Sequence, residues 1–85
     1  MRVAVVGTGF ISTLVAPKIV RWGYTVTDVV STPRSLVKAQ ELAGPLGARA
    51  GCDYDAVLAR EDVDAVYLGV PNDLHRDYAM RALRA

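Results

Sequence analysis

Cysteine is almost missing from this chain: Cys52 is the only one, so no internal disulfide can close. Histidine is as scarce, and one thiol with one imidazole, His75, makes no zinc framework. Charge of one sign is also lacking. Ten Lys and Arg are interleaved with nine Asp and Glu, for a formal charge of +1, which leaves no basic stripe to neutralise a run of phosphates and excludes nucleic acid as an expected partner. Nor is there a long hydrophobic run. The opening MRVAVVGTGF breaks at Gly7, far short of a signal-peptide core or of the roughly 20 residues that span a bilayer. The expectation is a soluble, cytoplasmic chain without a membrane partner. A lone Cys52 fits a reducing compartment and reads as a small buried or half-buried side chain.

What is present is a core-forming composition, 52% hydrophobic and 22% charged over 85 residues, which allows one small unit. Apolar runs of strand length alternate with stretches of helical period, the pattern of a parallel α/β fold. Val3 to Val6 is a β-branched run ending at Gly7 and reads as a buried strand. Ile11, Leu14, Val15, Ile19 and Trp22 then recur at helical steps, with Gly23 as the stop and Pro17 inside, where it should bend or loosen the helix. A second strand spans Thr25 to Val30. Ser31-Thr32-Pro33 has the chemistry of a helix start, and the helix should pack Leu36, Val37, Ala39, Leu42 and Ala43 before Gly44-Pro45 ends it. Ala48 to Ala50 suggests a third strand, Asp53 a cap for a brief helix from Tyr54 to Ala59, and Ala65 to Val70 a fourth buried strand. Asn72 or Asp73 caps a last helix from Leu74 to Leu83. The expected fold is a Rossmann-like half, about four parallel strands in the order 3-2-1-4 flanked by helices.

Three turns carry the chemistry. Gly7-Thr8-Gly9-Phe10-Ile11-Ser12 has the form G-x-G-x-x-S directly after a strand and opens a helix. A diphosphate needs a tight turn at Gly7, an approach without a side chain at Gly9 and the exposed amides of a helix start. Ser12 stands where the fingerprint has Gly or Ala and is small enough to keep helix and strand close. A plain tight turn in a nucleotide-free domain is the rival reading.

At the end of the second strand two readings compete. Asp28, 21 residues beyond Gly7, has the spacing of a ribose-binding acid and would imply NAD, but it lies two residues inside the strand. Ser31, Thr32 and Arg34 stand at the end itself, with no carboxylate among them, and a guanidinium can pair bidentately with a 2′-phosphate. The balance favours NADP(H) over NAD(H). Arg34 read blandly is a solvated residue, and Asp28 is then solvent-facing or paired at a helix flank.

The third turn is Gly69-Val70-Pro71-Asn72-Asp73-Leu74-His75, on the other side of the same switch point. Asn72 and His75 are candidates for contacts to a ribose or carboxamide, or else a helix cap and an exposed helical residue. No catalytic set and no metal-ligand pair is visible. Asp53, Asp55, Glu61, Asp62 and Asp64 read as caps and solvated turn residues, and Tyr54 and Tyr78 as packing residues.

The ordered set VAVVGTGFIS, Ser31-Thr32-Pro33-Arg34, CDYDAVLAREDVDAVYLGVPNDLH and YAMRALRA resembles, over the whole chain, the N-terminal Rossmann domain of the glucose-fructose oxidoreductase, inositol dehydrogenase and MocA-like family. The resemblance implies that Gly7, Thr8, Gly9, Phe10 and Ile11 meet the cofactor diphosphate. It implies that Ser31, Thr32 and Arg34 surround the adenosine ribose or its 2′-phosphate, and that Val70, Pro71, Asn72 and His75 line the path to the nicotinamide ribose. It further implies an oxidoreductase moving hydride between the nicotinamide and a sugar, polyol or similar small molecule, with no catalytic residue in this stretch. In that family a Glu-Lys-Pro motif and a large substrate domain follow the point where this sequence stops. Residues 1–85 are therefore expected to be the first part of the dinucleotide-binding domain, inactive alone, with an apolar fourth strand that favours a homo-oligomer. The alternatives are a nucleotide-binding module, or an assembly module, without catalysis.

Overall fold

The alternation of apolar runs and helical periods resolves into β1 (Arg2–Val6), α1 (Phe10–Arg21), β2 (Thr25–Val30), a 3-10 turn (Pro33–Ser35), α2 (Leu36–Leu46), β3 (Arg49–Gly51), α3 (Tyr54–Leu58), β4 (Ala65–Leu68) and α4 (Asn72–Arg84). The computed structural model describes residues 1–70 and 72–84, with only the backbone of Asn72 and Asp73. Every pairing is parallel, and the sheet order among the described residues is β3-β2-β1-β4, the order expected from the sequence.

The sheet is packed on both sides. Val3, Val5, Val26 and Val29 form one face with Ala16 and Ile19 of α1 and Ala39 and Ala43 of α2. Ala4, Val6 and Val30 form the other with Tyr54 and Val57 of α3, and Val66, Leu68 and Tyr78 pack against them. Each fully buried valine contributes roughly 1.5–3 kcal/mol of burial free energy.

The helices keep part of the expected faces, with Val15, Ile19, Ala39, Leu42 and Ala43 packed, and depart from the rest in an informative way. In α1 the buried residues are Ser12, Ala16 and Ile19, whereas Ile11 (57%), Leu14 and Trp22 (66%) are exposed. A helix lying close on a flat sheet needs small side chains along its contact line, so the bulky residues flank that line instead of forming it. In α2, Ala39 and Ala43 make the contact as expected, and Val37 alone of the expected set is strongly exposed. Pro17 does not interrupt α1.

Several expected boundaries shift. Gly44-Pro45 does not end α2. The helix runs through Pro45, as α1 runs through Pro17, and continues to Leu46. It stops at Gly47 (φ +70), whose N–H donates to the Gly44 carbonyl at 3.1 Å, while Ala48 N–H donates to Ala43 at 3.0 Å. The preceding helical start has Pro33 in its first turn, as expected, but Thr32 makes no side-chain cap. The third strand is Arg49–Gly51 instead of Ala48 to Ala50, and α4 begins at Asn72 instead of Leu74. The brief helix keeps its expected cap: Asp53 Oδ1 accepts from Ala56 N–H at 3.0 Å. The fourth strand ends at Leu68 and is half-buried, because β4 pairs only with β1 among the described strands.

At the amino ends of the strands, Arg2 and Asp64 bind each other reciprocally. Asp64 Oδ2 accepts from the Arg2 backbone N–H at 2.8 Å and from its Nε at 3.1 Å, and Asp64 N–H donates to the Arg2 carbonyl at 2.8 Å. The guanidinium and backbone donors hold the Asp64 carboxyl down at about 2, against an ordinary 3.8. A depressed carboxyl stabilises the fold above its unfolded value and loses that contribution as pH falls towards the folded one. NMR titration should therefore find Asp64 protonating near pH 2. The part of the acid unfolding limb lying between pH 3.8 and about 2 should shrink in Asp64→Asn.

Candidate functional site

The carboxyl ends of β1, β2 and β4 converge where the strand order reverses, and backbone hydrogen bonds fasten the three turns to one another. Gly7 N–H donates to Val30 O at 2.8 Å, Gly69 N–H to Val6 O at 2.8 Å and Ser31 N–H to Gly51 O at 2.9 Å. Gly7 has φ +103°, a conformation that suits glycine, and a Cβ there would collide with the Gly69 carbonyl. The β1 turn and the β4 turn therefore touch through backbone alone.

Gly9 is different in kind. Its backbone is ordinary and extended (φ −70°), and a Cβ there would meet nothing within 4 Å. It is the N-cap of α1, yet no side chain caps that helix and no acidic residue stands in its first turn. The first amides of an α-helix have no intrahelical partners, so this end combines unused donors, a partial positive charge and open space. Thr13, one turn in, is already satisfied: its N–H donates to Gly9 O and its Oγ1 to Phe10 O at 2.6 Å.

These turns line a cavity of about 690 Å³, within the range of small-molecule sites. Gly7, Thr8, Gly9, Phe10 and Ile11 line its middle, with Phe10 strongly exposed. Ser31 and Thr32 line the β2 end, and Val70 and His75 the β4 end. Arg34, by contrast, is exposed on the 3-10 turn and is not among the lining residues, although Thr32 and Ser35 on either side of it are. Pro71 lies outside the described residues, as does the Asn72 side chain. His75 is tethered: its Nε2 lies 3.2 Å from the Leu68 carbonyl oxygen and donates to it in the Nε2-protonated tautomer.

The structure adds lining residues that the sequence reading did not choose: Ser35, Lys38, Cys52, Tyr54 and Tyr78. Lys38 lies one helical turn beyond Arg34, a spacing that the start of α2 made readable. The tyrosines had no such signal, because their place depends on two helices meeting. Their rings stack at 4.9 Å, Tyr54 OH donates to the Tyr78 carbonyl at 2.9 Å, and Arg81 lies over both rings while pairing with Asp55 at 2.8 Å. Burial pushes the Tyr54 phenol up. Cys52, expected to be buried or half-buried, is exposed at the cavity, since it follows β3 directly and packs under no helix.

Asp28 is engaged by its surroundings. It is 5% exposed, and Arg60 holds it bidentately at 3.0 and 2.6 Å, with Arg49 at 3.6 Å. A bulge between Val3 and Ala4 pairs Ala4 with Asp28, which places the carboxylate on the α3–α4 face, within reach of Arg60. Arg60 also binds Asp62 at 2.8 Å, and these hydrogen bonds hold the guanidinium up and the Asp62 carboxyl down. Asp28 is a structural ion-pair partner and does not line the cavity.

Residues 1–85 match the model of the GFO_IDH_MocA family, described as an oxidoreductase family with an NAD-binding Rossmann fold, and the chain belongs to that family. A dTDP-3,4-didehydro-2,6-dideoxy-alpha-D-glucose 3-reductase from Streptomyces violaceoruber is 50% identical over 52 residues, 61% of this chain and 15% of that protein. The crystal structure of KijD10, a 3-ketoreductase from Actinomadura kijaniata in complex with NADP, superposes with a TM-score of 0.86 at 34% identity, covering 99% of this chain and 27% of that one. GenD2 from gentamicin A biosynthesis, in complex with NAD, gives a TM-score of 0.90 at 28% identity over 99% of this chain and 24% of that one. The chain spans between 15% and 26% of the length of the curated relatives it matches.

The two glycines of the first turn should separate in a stability experiment. Gly7→Ala should lower the urea unfolding free energy by about 1–3 kcal/mol, from the left-handed backbone and the Gly69 carbonyl. Gly9→Ala should change it by less than about 0.5 kcal/mol.

Proposed function

We propose that this chain is the first part of the dinucleotide-binding domain of an NAD(P)-dependent oxidoreductase, one that moves hydride between the nicotinamide and a carbonyl or hydroxyl carbon of a sugar, polyol or related small molecule. The observation that carries the reading is the uncapped start of α1, opening beside a Gly9 with nothing over it into the cavity at the switch point. The names of the relatives, a reductase of a dTDP-linked deoxysugar and a 3-ketoreductase, support a carbohydrate-like substrate. Catalytic and substrate-binding groups would come from other parts of the protein.

Each turn then has a task. Gly7 gives the first turn its shape, and Gly9 leaves room for the diphosphate. Thr8, Phe10 and Ile11 flank the diphosphate, where the amides at the start of α1 face negative charge. Ser31 and Thr32 offer hydroxyls to the adenosine ribose. Val70, Pro71, Asn72 and His75 border the nicotinamide ribose, with the His75 ring braced by the Leu68 carbonyl. Bound there, the nicotinamide supplies or accepts the hydride, and the protein fixes its position and surrounding charge.

NADP(H) remains the favoured cofactor in this proposal, now for a fuller reason. Asp28 is engaged by Arg60, no carboxylate among the described residues lines the β2 end of the cavity, and Lys38 lines it beside Thr32 and Ser35. A cation in the wall with hydroxyls around it suits a 2′-phosphate, and Arg34 stands on the adjoining turn. NAD- and NADP-bound relatives share this backbone, so the choice rests on these side chains.

In the natural-length protein, Gly9→Val should weaken dinucleotide binding by about 10- to 100-fold in calorimetry, because a branched side chain fills the diphosphate's approach. An unchanged dissociation constant would overturn the assignment. Lys38→Ala should cost NADPH about 10- to 100-fold and leave NADH within about twofold, with Arg34→Ala acting in the same direction but less. Equal losses for both cofactors would remove these residues from 2′-phosphate recognition.

A further inference from the structure

Among the described residues, one buried side-chain polar atom has no hydrogen-bond partner, and it is Ser12 Oγ. The residue is 1% exposed, sits third in α1 and belongs to the cavity wall. A serine inside a helix ordinarily turns to solvent or bonds back to the preceding turn. Ser12 does neither, although its neighbour Thr13 makes that back-bond to Phe10 O. The hydroxyl instead packs against Gly69, where any Cβ would overlap it. Gly69 also lines the cavity, and its N–H ties the β4 turn to Val6 at the end of β1.

Polar groups buried in a protein are almost always bonded, and an orphan calls for a ligand or a cost without return. The surroundings of this hydroxyl point to a ligand class. Ser12 stands in the first turn of the helix whose free amides face the cavity, at the seam between the two turns, so an anionic oxygen drawn to those amides arrives next to its Oγ. We propose that Ser12 is a binding residue in its own right: its hydroxyl donates to an unesterified oxygen of the cofactor diphosphate, and Gly69 is glycine so that the hydroxyl can stand there. This rests on the dinucleotide reading of the cavity. The departure from Gly or Ala at this position of the turn then has a use: it trades the cost of an orphan hydroxyl in the free protein for a charge-assisted bond in the complex.

The role separates from packing by comparing stability with affinity, and one ligand fragment with another. Ser12→Ala in the natural-length protein removes the hydroxyl and fills the same space. Without ligand, its melting temperature should equal or exceed that of the parent, since nothing bonded is lost. Its affinity for NADPH and for ADP-ribose, which carries the diphosphate, should fall by about 10-fold or more, while its affinity for adenosine, which has no phosphate, should not change. Ser12→Gly removes the same group by a second route and should reproduce the pattern even if the alanine variant folds poorly. Unchanged affinity for ADP-ribose, or equal losses for ADP-ribose and adenosine, would overturn the proposal while leaving the cofactor reading intact. Failure of the parent protein to bind NADPH, NADH or ADP-ribose would instead remove the cofactor reading, and the Ser12 role with it.

Discussion

The structure turns on a contact in which two backbone turns meet with no side chain between them. Gly7, held at positive φ, lies against the Gly69 carbonyl, and each turn is bonded to the strand end beside it, Gly7 to Val30 and Gly69 to Val6. That closeness fixes where β1, β2 and β4 end relative to one another. It therefore fixes where α1 begins, and a helix start is a binding element only if it opens onto space. The parallel order β3-β2-β1-β4 supplies that space, because the chain leaves β1 towards one side of the sheet for β2 and returns on the other for β4.

Two assemblies tie the elements around the sheet together, and one of them reaches the cavity wall through Tyr54 and Tyr78. One is ionic: Arg60 reaches from the segment after α3 to Asp28 and Asp62, and Arg49 on β3 joins both acids. Arg60 and Asp28 are the better-shielded part of this set, and their two-point geometry gives it direction as well as attraction. The other is aromatic: Tyr54 and Tyr78 stack under Arg81, which joins α4 to α3 and so sets the helix that carries His75. The aromatic set is what joins α4 to α3 at the cavity wall. Relatives crystallised with NADP and with NAD both superpose on this fold.

Much of this was readable because the signals were local. Valines in a short run before Gly7 specify a strand and a stop, the G-x-G-x-x-S turn specifies a strand-to-helix junction, and Asp53 specifies its own cap. Boundaries slipped where packing overrode a local stop, as when α2 ran through Pro45 to Leu46 and its cap at Gly47. The helix faces were only partly legible for another reason. Hydrophobicity marks which residues are apolar, but distance of approach decides which of them touch the sheet: Ile19, Ala39 and Ala43 pack as expected, while Ile11, Leu14 and Val37 stand outside and Ala16 makes the contact in α1.

By itself, the sequence determined the parallel α/β class, the strand order, the glycine turn at the head of α1 and the likeness to a family of oxidoreductases, because each follows from residues adjacent in the chain. The tertiary structure alone decided the rest. A bulge between Val3 and Ala4 placed Asp28 beside Arg60 and outside the cavity wall, the start of α2 brought Lys38 rather than Arg34 into the wall, and the meeting of α1 with the β4 turn buried Ser12 Oγ against Gly69. Those outcomes join residues between 32 and 57 positions apart or depend on where a helix begins. Spacing along a chain records neither distance nor direction across a fold.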